Sequence, residues 1–199
     1  MSGASAAAAT LVDEPSATTL EPLRFAARDG FSLAGDLYRP EGGARAVAII
    51  ASAMGVRRRL YAGFARFLAE AGIATLVFDY RGIGDSRAGS LRGFHARLSE
   101  WADLDLSAAV DELARRVPGM PLFWIGHSVG GQLMGLLPDA PIRRALFVGS
   151  QNGYWRNWDG PARWRMAALW HAVIPGMSAA VGYLPMSRIV GGEDLPRGV

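Results

Sequence analysis

Four short apolar runs alternate with helix-like segments between residues 46 and 150, and this alternation restricts the folds open to the chain. The runs are residues 46–53 (AVAIIASA), 73–80 (IATLVFDY), 121–126 (PLFWIG) and 143–150 (RRALFVGS). Such runs, rich in Val, Ile and Leu, are typical of strands buried on both faces of a sheet. When helices join successive strands, the strands lie parallel and the helices cover both faces. The sequence therefore predicts an α/β fold with a mostly parallel sheet.

The segments between these runs have the apolar spacing of helices. We predict a first helix that ends at Gly72 and whose apolar face is formed by Leu60, Phe64, Phe67, Leu68 and Ala71. Two more helices are predicted over residues 98–117 and 129–137, each ended by a proline. Ahead of the first apolar run, two extended segments flank Asp29 and Gly30, a turn signal that predicts a hairpin.

The residue composition excludes several kinds of chemistry. The 199 residues suffice for one substantial core, and they include neither cysteine nor lysine. Disulfides, thiolate nucleophiles and Schiff-base lysines are therefore excluded. The arginine run at 57–59 is interpreted as a solvated loop or helix start, because no aromatic residues interleave with it, and no nucleic-acid partner is expected. His95, His127 and His171 lack metal-ligand spacing, and nothing in the sequence indicates a cofactor.

Two segments outside the alternating region bear on location. Residues 1–20 have no basic stretch ahead of their small residues, so we expect a disordered tail, no secretory signal and a cytoplasmic protein. Residues 166–186 carry no formal charge over 21 residues, which is long enough to cross a bilayer. Because Pro175 and Gly176 interrupt this segment, we predict two short helices separated by Pro-Gly. A membrane-associated alternative rests on this segment alone.

The stretch FWIGHSVGG places a serine between a predicted strand and a predicted helix. Residues Gly126, His127, Ser128, Val129 and Gly130 match the pattern G-x-S-x-G. In that context a sharp turn holds the serine so that its Oγ projects above the sheet, and the two glycines avoid collisions with neighbouring backbone. The amide N–H of Val129 can then donate to a developing oxyanion. We expect His127 to pack beside the turn, and Ser128 to be a nucleophile rather than a polar residue of a glycine-rich loop.

Three stretches resemble the α/β-hydrolase superfamily, in particular its serine aminopeptidase-like branch. They are GHSVGG, the strand and loop VFDYRGIGDS at 77–86, and the helix WADLDLSAAVDEL at 101–113. The resemblance covers roughly residues 22–150, most of the fold's first six strands. It implies that Asp79, Arg81 and Asp85 anchor a loop rather than bind a ligand.

The resemblance also implies partners for Ser128. A second oxyanion donor is expected in residues 52–55, where the backbone N–H of Met54 aligns best and Ala53 is the alternative. The family's triad continues with an acid and then a histidine after the seventh and eighth strands, and neither strand is recognisable here. We therefore expect the sequence to stop inside the cap region, with both residues beyond Val199. Asp159 and His171 satisfy the order, but no strands aim them, and a packed histidine is the commoner outcome.

These observations predict a serine hydrolase that cleaves an ester, thioester or amide bond of a small acyl substrate through an acyl-serine intermediate. The alternative is a truncated or inactive hydrolase fold that binds an apolar ligand or a partner chain without turnover. Four tryptophans either line an apolar acyl pocket or pack a cap on the sheet: Trp155, Trp158, Trp164 and Trp170. We divide the chain into a disordered tail (1–20), an α/β-hydrolase core (21–150) and an incomplete helical cap (151–199). An uncovered sheet edge and the cap are expected to favour self-association.

Overall fold

A computed structural model describes residues 17–188 and 191–199. These residues form a six-stranded sheet with the strand order β1-β2-β4-β3-β5-β6. The strands are β1 (Thr18–Ala26), β2 (Ser32–Pro40), β3 (Ala46–Ala51), β4 (Ile73–Phe78), β5 (Leu122–His127) and β6 (Ile142–Val148). β1 and β2 form an antiparallel hairpin, β2 is antiparallel to β4, and the remaining pairs are parallel. The predicted mostly parallel sheet and N-terminal hairpin are confirmed.

Helical segments connect the parallel strands. The α-helices are α1 (Ala62–Glu70), α2 (Leu98–Glu100), α3 (Ser107–Arg116), α4 (Val129–Leu133), α5 (Gly160–Ala168) and α6 (Ile174–Val181). Two π-helical stretches, Trp101–Leu106 and Leu169–Val173, join α2 to α3 and α5 to α6. Short 3-10 segments cover Arg58–Tyr61, Gly84–Ser86, Met134–Leu136, Trp155–Asn157 and Met186–Arg188.

Strand β3 lies at the centre of the core and is buried on both faces. Its residues Val47 and Ile49 belong to the larger apolar cluster, which also contains residues of α3. The alternate residues Ala48 and Ile50 belong to a second cluster, which contains residues of α1. Because successive side chains of a strand point to opposite faces, α3 and α1 cover opposite faces of the sheet. The parallel register pairs Ala51 with Gly126, which brings the loop after β3 beside the turn after β5.

The predicted apolar face of the first helix is wrong in part. Leu60, Phe64 and Phe67 are exposed, and Phe67 keeps 61% of its surface accessible. The residues that α1 buries are the alanines Ala65 and Ala69. Because alanine side chains are small, they let the backbone of α1 pack close to the sheet. The helix therefore presents its alanines to the sheet and its phenylalanines to solvent.

The predicted fourth buried strand also differs from expectation. β6 pairs with β5 and is the last strand of the described sheet. Its residues from Arg143 to Val148 are all exposed, including Leu146, Phe147 and Val148. An apolar run therefore marks this strand correctly but does not show that both of its faces are covered.

The cap contains one continuous helical run where two helices were predicted. α5, the π-helical stretch and α6 follow one another without a break from Gly160 to Val181. Pro175 has no N–H to donate, and the helix widens into a π-helical turn immediately before it. Gly182, with φ of 88°, ends the run. Across the described residues, no helix is both long and apolar enough to span a membrane.

The two ends of the chain differ from the predicted division. Residues 1–16, most of the predicted tail, lie outside the described residues, whereas Thr18–Ala26 already form β1. At the other end, Leu195 is fully buried in the larger core cluster and exchanges backbone hydrogen bonds with Leu184. Leu195 therefore belongs to the core cluster, although the sequence assigned it to the cap. The division into core and cap otherwise stays a prediction.

A buried ion-pair network fixes the loop after β4, and it corrects the interpretation of the arginine run. Arg58 is only 8% exposed, and its guanidinium pairs with Asp36, Asp79 and Asp85. Asp79 also accepts the backbone N–H of Arg58 at 2.7 Å and that of Asp85 at 3.0 Å. Arg58 is therefore structural, whereas its neighbours Arg57 and Arg59 have the exposure expected of a solvated run.

A second network supports the anchoring role predicted for Arg81. Its Nε donates to Asp105 at 2.8 Å and its terminal nitrogens donate to Asp29 at 2.8 and 3.0 Å. Burial raises the pKa of Asp105 to about 6, against the lowering effect of its hydrogen bonds with Arg81. The hydrogen bond from Arg81 lowers the pKa of the more exposed Asp29. Asp79, Arg81 and Asp85 thus all hold the loop, as predicted.

Candidate active site

Ser128 occupies a sharp turn between β5 and α4. Its φ of 51° and ψ of −119° make it the one non-glycine residue with positive φ among the described residues. This region of φ/ψ space is costly for a residue with a Cβ, so the surrounding structure must hold Ser128 there. Its backbone N–H donates to the carbonyl of Val148 at 2.9 Å, and its carbonyl accepts the N–H of Gly131 at 3.1 Å. The turn is therefore tied to β6 on one side and to α4 on the other.

The glycines around Ser128 are required by close backbone packing. A Cβ on Gly126 would lie 2.4 Å from Cα of Gly131, and a Cβ on Gly130 would lie 2.0 Å from the carbonyl oxygen of Ala51. Real Cβ atoms do not approach backbone this closely, so neither position accepts a side chain without displacing the turn. Gly131 is also closely packed, in its case by side chains, because its Cβ would lie 2.1 Å from Oγ of Ser150 and 2.7 Å from Cδ1 of Phe147. The sequence pattern indicated the first two glycines and missed the third.

Ser128 faces a cleft of about 400 Å³ between the sheet and the cap. Apolar and aromatic side chains form much of its wall, and its polar side-chain groups are the Ser128 hydroxyl, three amides, one phenol, one imidazole and the indole N–H groups of two tryptophans. The lining residues are Met54, Leu98, Ser128, Val129, Gln132, Gln151, Asn152, Gly153, Tyr154, Trp155, Trp170 and His171. A cleft of this size with few polar groups is typical of a small-molecule site.

The two predicted backbone donors lie in this cleft. Met54 follows β3 and Val129 opens α4, and both line the cleft with Ser128. Within the described part of the chain, no hydrogen bond uses the N–H of either residue. The N–H of Ala53, the alternative donor, instead donates to the hydroxyl of Tyr61 at 2.8 Å. Of the two candidates after β3, Met54 is therefore the one with an N–H available to a ligand.

His127 is held away from Ser128 by Tyr61. The Tyr61 hydroxyl lies 2.9 Å from Nδ1 of His127, and the two rings meet edge to face at 5.9 Å. Burial raises the pKa of the Tyr61 phenol, which keeps its proton in place. The same phenol oxygen accepts the N–H of Ala53, so Tyr61 binds the loop after β3 and the imidazole of His127 at once. His127 packs beside the turn, as the sequence suggested, and Tyr61 is a residue that no sequence signal singled out.

His171 and Asp159, the pair with the triad order, are separated in the structure. His171 lines the cleft with Ser128 and contacts Trp155 edge to face, with ring centroids 6.3 Å apart. Asp159 is exposed at the N-cap of α5 and does not line the cleft. No hydrogen bond within residues 17–188 and 191–199 joins the two side chains. The structure therefore places an imidazole in the cleft but does not place Asp159 behind it.

The four cap tryptophans divide into two pairs. Trp155 and Trp170 line the cleft, as one of the two sequence interpretations expected. Trp158 and Trp164 are exposed and do not line it, and Trp164 retains 68% of its accessible surface. Among the described His, Asp and Glu side chains, no group of three is arranged to hold a metal ion.

Known proteins resemble this chain in family and in fold. A family model described as "Serine aminopeptidase, S33" matches residues 42–179, more than half of the chain. A thermostable carboxyl esterase from Bacillus coagulans has a similar fold, with a TM-score of 0.64 and 18% identity over 86% of this chain and 55% of that chain. The α/β-hydrolase GrgF from Penicillium sp. sh18 also has a similar fold, with a TM-score of 0.63. The sequence identity is 22%, over 90% of this chain and 62% of that chain.

A third structure comes from Xanthomonas campestris and is described as an α/β serine hydrolase without a lid. It gives a TM-score of 0.56 and 21% identity over 70% of this chain and 64% of that chain. At these identities the likeness concerns the fold. The chain spans less than two thirds of the length of each of these three structures.

Proposed function

Because this chain belongs to the serine aminopeptidase S33 family of α/β-hydrolases, we propose that it hydrolyses an ester, thioester or amide bond through an acyl intermediate on Ser128. The observation that carries the proposal is the backbone of Ser128, with φ of 51°, at a turn facing an apolar cleft. Strain at a residue of this kind is characteristic of a nucleophile elbow. The fold of the carboxyl esterase from Bacillus coagulans favours an ester as the bond that is cleaved.

The first step uses Ser128 and the two backbone donors. A base removes the proton of Oγ as the oxygen attacks the carbonyl carbon, and the carbonyl oxygen becomes an oxyanion. The N–H groups of Val129 and Met54 donate to this oxyanion, where such donors lower the barrier by several kcal/mol. The leaving alkoxide, thiolate or amine takes the proton and departs, which leaves the acyl group on Oγ. Water, deprotonated by the same base, then attacks the acyl-serine and releases the acid.

Within the described residues, His171 is the imidazole that shares the cleft with Ser128, so we propose it as the base available in this chain. An unsupported histidine is a weak base catalyst, because the acid of a triad holds the correct tautomer. The resemblance to the family offers a different source, the acid and the histidine that follow the seventh and eighth strands of that fold. The alternative function, binding of an apolar ligand without turnover, follows if neither source operates.

Hydrolysis of p-nitrophenyl butyrate tests the proposal. We expect release of p-nitrophenolate above the buffer rate, loss of that release in Ser128→Ala, and retention in Ser90→Ala, an exposed serine outside the cleft. If His171 is the base, His171→Ala lowers kcat at least 100-fold, whereas His95→Ala leaves it unchanged. A folded protein with no turnover would contradict the hydrolase proposal and favour the ligand-binding alternative.

A further inference from the structure

A guanidinium is fixed against the aromatic wall of the Ser128 cleft. The side chain of Arg156 lies 5.0 Å from the ring centroid of Trp155 and 6.0 Å from that of Tyr154. Both rings line the cleft. Stacking of arginine on aromatic faces is favourable and restricts its many rotamers. Arg156 itself is exposed and does not line the cleft, but the stacking keeps its positive charge beside two rings that do.

The backbone around Arg156 is also held. Arg163 donates from one terminal nitrogen to the carbonyl of Arg156 at 3.2 Å and from Nε to the carbonyl of Trp158 at 3.1 Å. These bonds connect the 3-10 segment Trp155–Asn157 to the following helix α5. The backbone that carries the stacked guanidinium is thus attached to α5 by two hydrogen bonds.

The charge of Arg156 is not neutralised by its surroundings. Within the described residues, Arg156 forms no salt bridge, unlike Arg58 and Arg81 of the core. Across residues 151–181 the sequence has three arginines, Arg156, Arg163 and Arg165, against the single acid Asp159. The cleft lining itself carries no carboxylate among the described residues. A ligand in the cleft therefore experiences a positive field from the cap side.

We propose that Arg156 makes this cleft select acyl groups by charge, favouring an anionic distal end and disfavouring a cationic one. The acyl chain lies against the apolar wall while a carboxylate at its far end pairs with the guanidinium. An ammonium at the same position is repelled, and burying it without a carboxylate is costly. The inference rests on the proposed function only because it takes an acyl group as the ligand. Arg156 would determine specificity without contacting the atoms that react.

Binding to the Ser128→Ala protein separates this inference from catalysis. Three methyl esters of one chain length differ only at the distal end: monomethyl suberate, methyl 8-hydroxyoctanoate and methyl 8-aminooctanoate. Titration at pH 7, followed by tryptophan fluorescence, reports on the cleft because Trp155 and Trp170 line it. We expect monomethyl suberate to bind roughly three- to tenfold more tightly than the ammonium ligand, with the hydroxyl ligand between them. The ratio falls toward one in about 0.5 M salt, because the pair is partly exposed.

Two arginine variants in the Ser128→Ala background make the test specific. Arg156→Gln is expected to bring the affinity ratio close to one, whereas Arg165→Gln preserves it. Arg165 is an exposed arginine of α5, and among the described residues no aromatic ring stacks with it. Its replacement therefore removes the same charge from the cap without touching the stacked guanidinium. Equal affinities in the presence of Arg156, a ratio unaffected by Arg156→Gln, or no binding of any ligand would overturn the inference. If the parent protein turns over the ester but the Ser128→Ala protein shows no charge selection, the inference fails and the proposed function stands. If the Ser128→Ala protein selects by charge but the parent protein shows no turnover, the proposed function fails and the inference stands.

Discussion

Tyr61 and His127 are joined by a hydrogen bond of 2.9 Å, and the same hydroxyl accepts the N–H of Ala53 at 2.8 Å. One phenol therefore links the loop that carries Met54 to the residue that precedes Ser128. Nδ1 of His127 and the N–H of Ala53 are therefore both engaged by the phenol, whereas no hydrogen bond among the described residues uses the N–H of Met54. We regard Tyr61 as a positioning residue, because it acts on the donor loop and does not itself line the cleft.

Removal of the Tyr61 hydroxyl is expected to destabilise the protein. Tyr61→Phe leaves the N–H of Ala53 and Nδ1 of His127 without a partner, at a cost of about 1–3 kcal/mol in the free energy of unfolding. Tyr80→Phe makes the same chemical change at a buried hydroxyl that has no hydrogen-bond partner among the described residues. That variant should be unchanged or slightly stabilised. Urea unfolding of both variants measures the two free energies of unfolding. Equal destabilisation would contradict the claim that the hydrogen bonds of the Tyr61 hydroxyl stabilise the protein.

Alanine at Gly130 is expected to disrupt the Ser128 turn. Its Cβ would lie 2.0 Å from the carbonyl oxygen of Ala51. We predict a loss of at least about 2 kcal/mol in the free energy of unfolding, because backbone atoms must move. Gly135→Ala is the matched control, since a Cβ there meets nothing within 4 Å and its φ is not positive. Thermal unfolding should show Gly135→Ala to be unchanged or slightly stabilised, and a Gly130→Ala protein as stable as the parent would contradict the packing described.

Arg58 provides a third test, on the buried ion pairs. Arg58→Gln leaves the carboxylates of Asp36 and Asp79 without their cation in a buried site, which is expected to cost about 3–5 kcal/mol. Arg28→Gln breaks a salt bridge to Asp111 in which both side chains are more than half exposed. Such pairs contribute less than about 1 kcal/mol. Denaturant midpoints that fall equally in the two variants would show that Arg58 is not the buried centre of a network.

The contrast between Arg58 and Ser128 shows what the sequence can predict here. Ser128 was identifiable because its strand, turn glycines and helix are contiguous, so a local pattern contains the whole geometry. Arg58 was not, because its partners Asp36 and Asp79 lie on β2 and after β4, and an arginine run alone resembles a solvated segment. Tyr61 was missed for the same reason, since its hydroxyl bonds to Ala53 in the loop after β3 and to His127 at the end of β5, which are far apart in the sequence.

The positions of strands and helices were more predictable from the sequence than the side of each that is buried. The apolar runs identified every parallel strand, because β-branched runs report local propensity. The exposure of β6 and the rotation of α1 depend instead on which neighbours are present and on how closely alanines let a helix approach. The continuous helix through Pro175 required a π-helical turn, which has no simple sequence signal.

Asp105 is expected to give stability an unusual pH dependence. Its pKa is raised by burial from 3.8 to about 6, so the folded protein holds this proton more tightly than the unfolded chain does. The contribution of Asp105 to the free energy of unfolding therefore falls as the pH rises from about 4 to 6. We expect this fall in the free energy of unfolding to be absent in Asp105→Asn, because the asparagine side chain does not ionise.

Urea unfolding between pH 4 and pH 7 measures this effect. Asp103→Asn is the control, because Asp103 is exposed on the same helical segment. The slope of the free energy of unfolding against pH should become more positive in Asp105→Asn and stay unchanged in Asp103→Asn. An unchanged slope in Asp105→Asn would show that Asp105 ionises normally in the folded protein.

The turn after β5 is expected to make Ser128 a nucleophile. Reaction of the folded protein with a fluorophosphonate, followed by peptide mass mapping, tests this expectation, because the reagent needs an activated serine. We expect one adduct per chain, on the peptide that contains Ser128, and no adduct in Ser128→Ala. A folded protein that forms no adduct, or whose adduct maps to another residue, would contradict it.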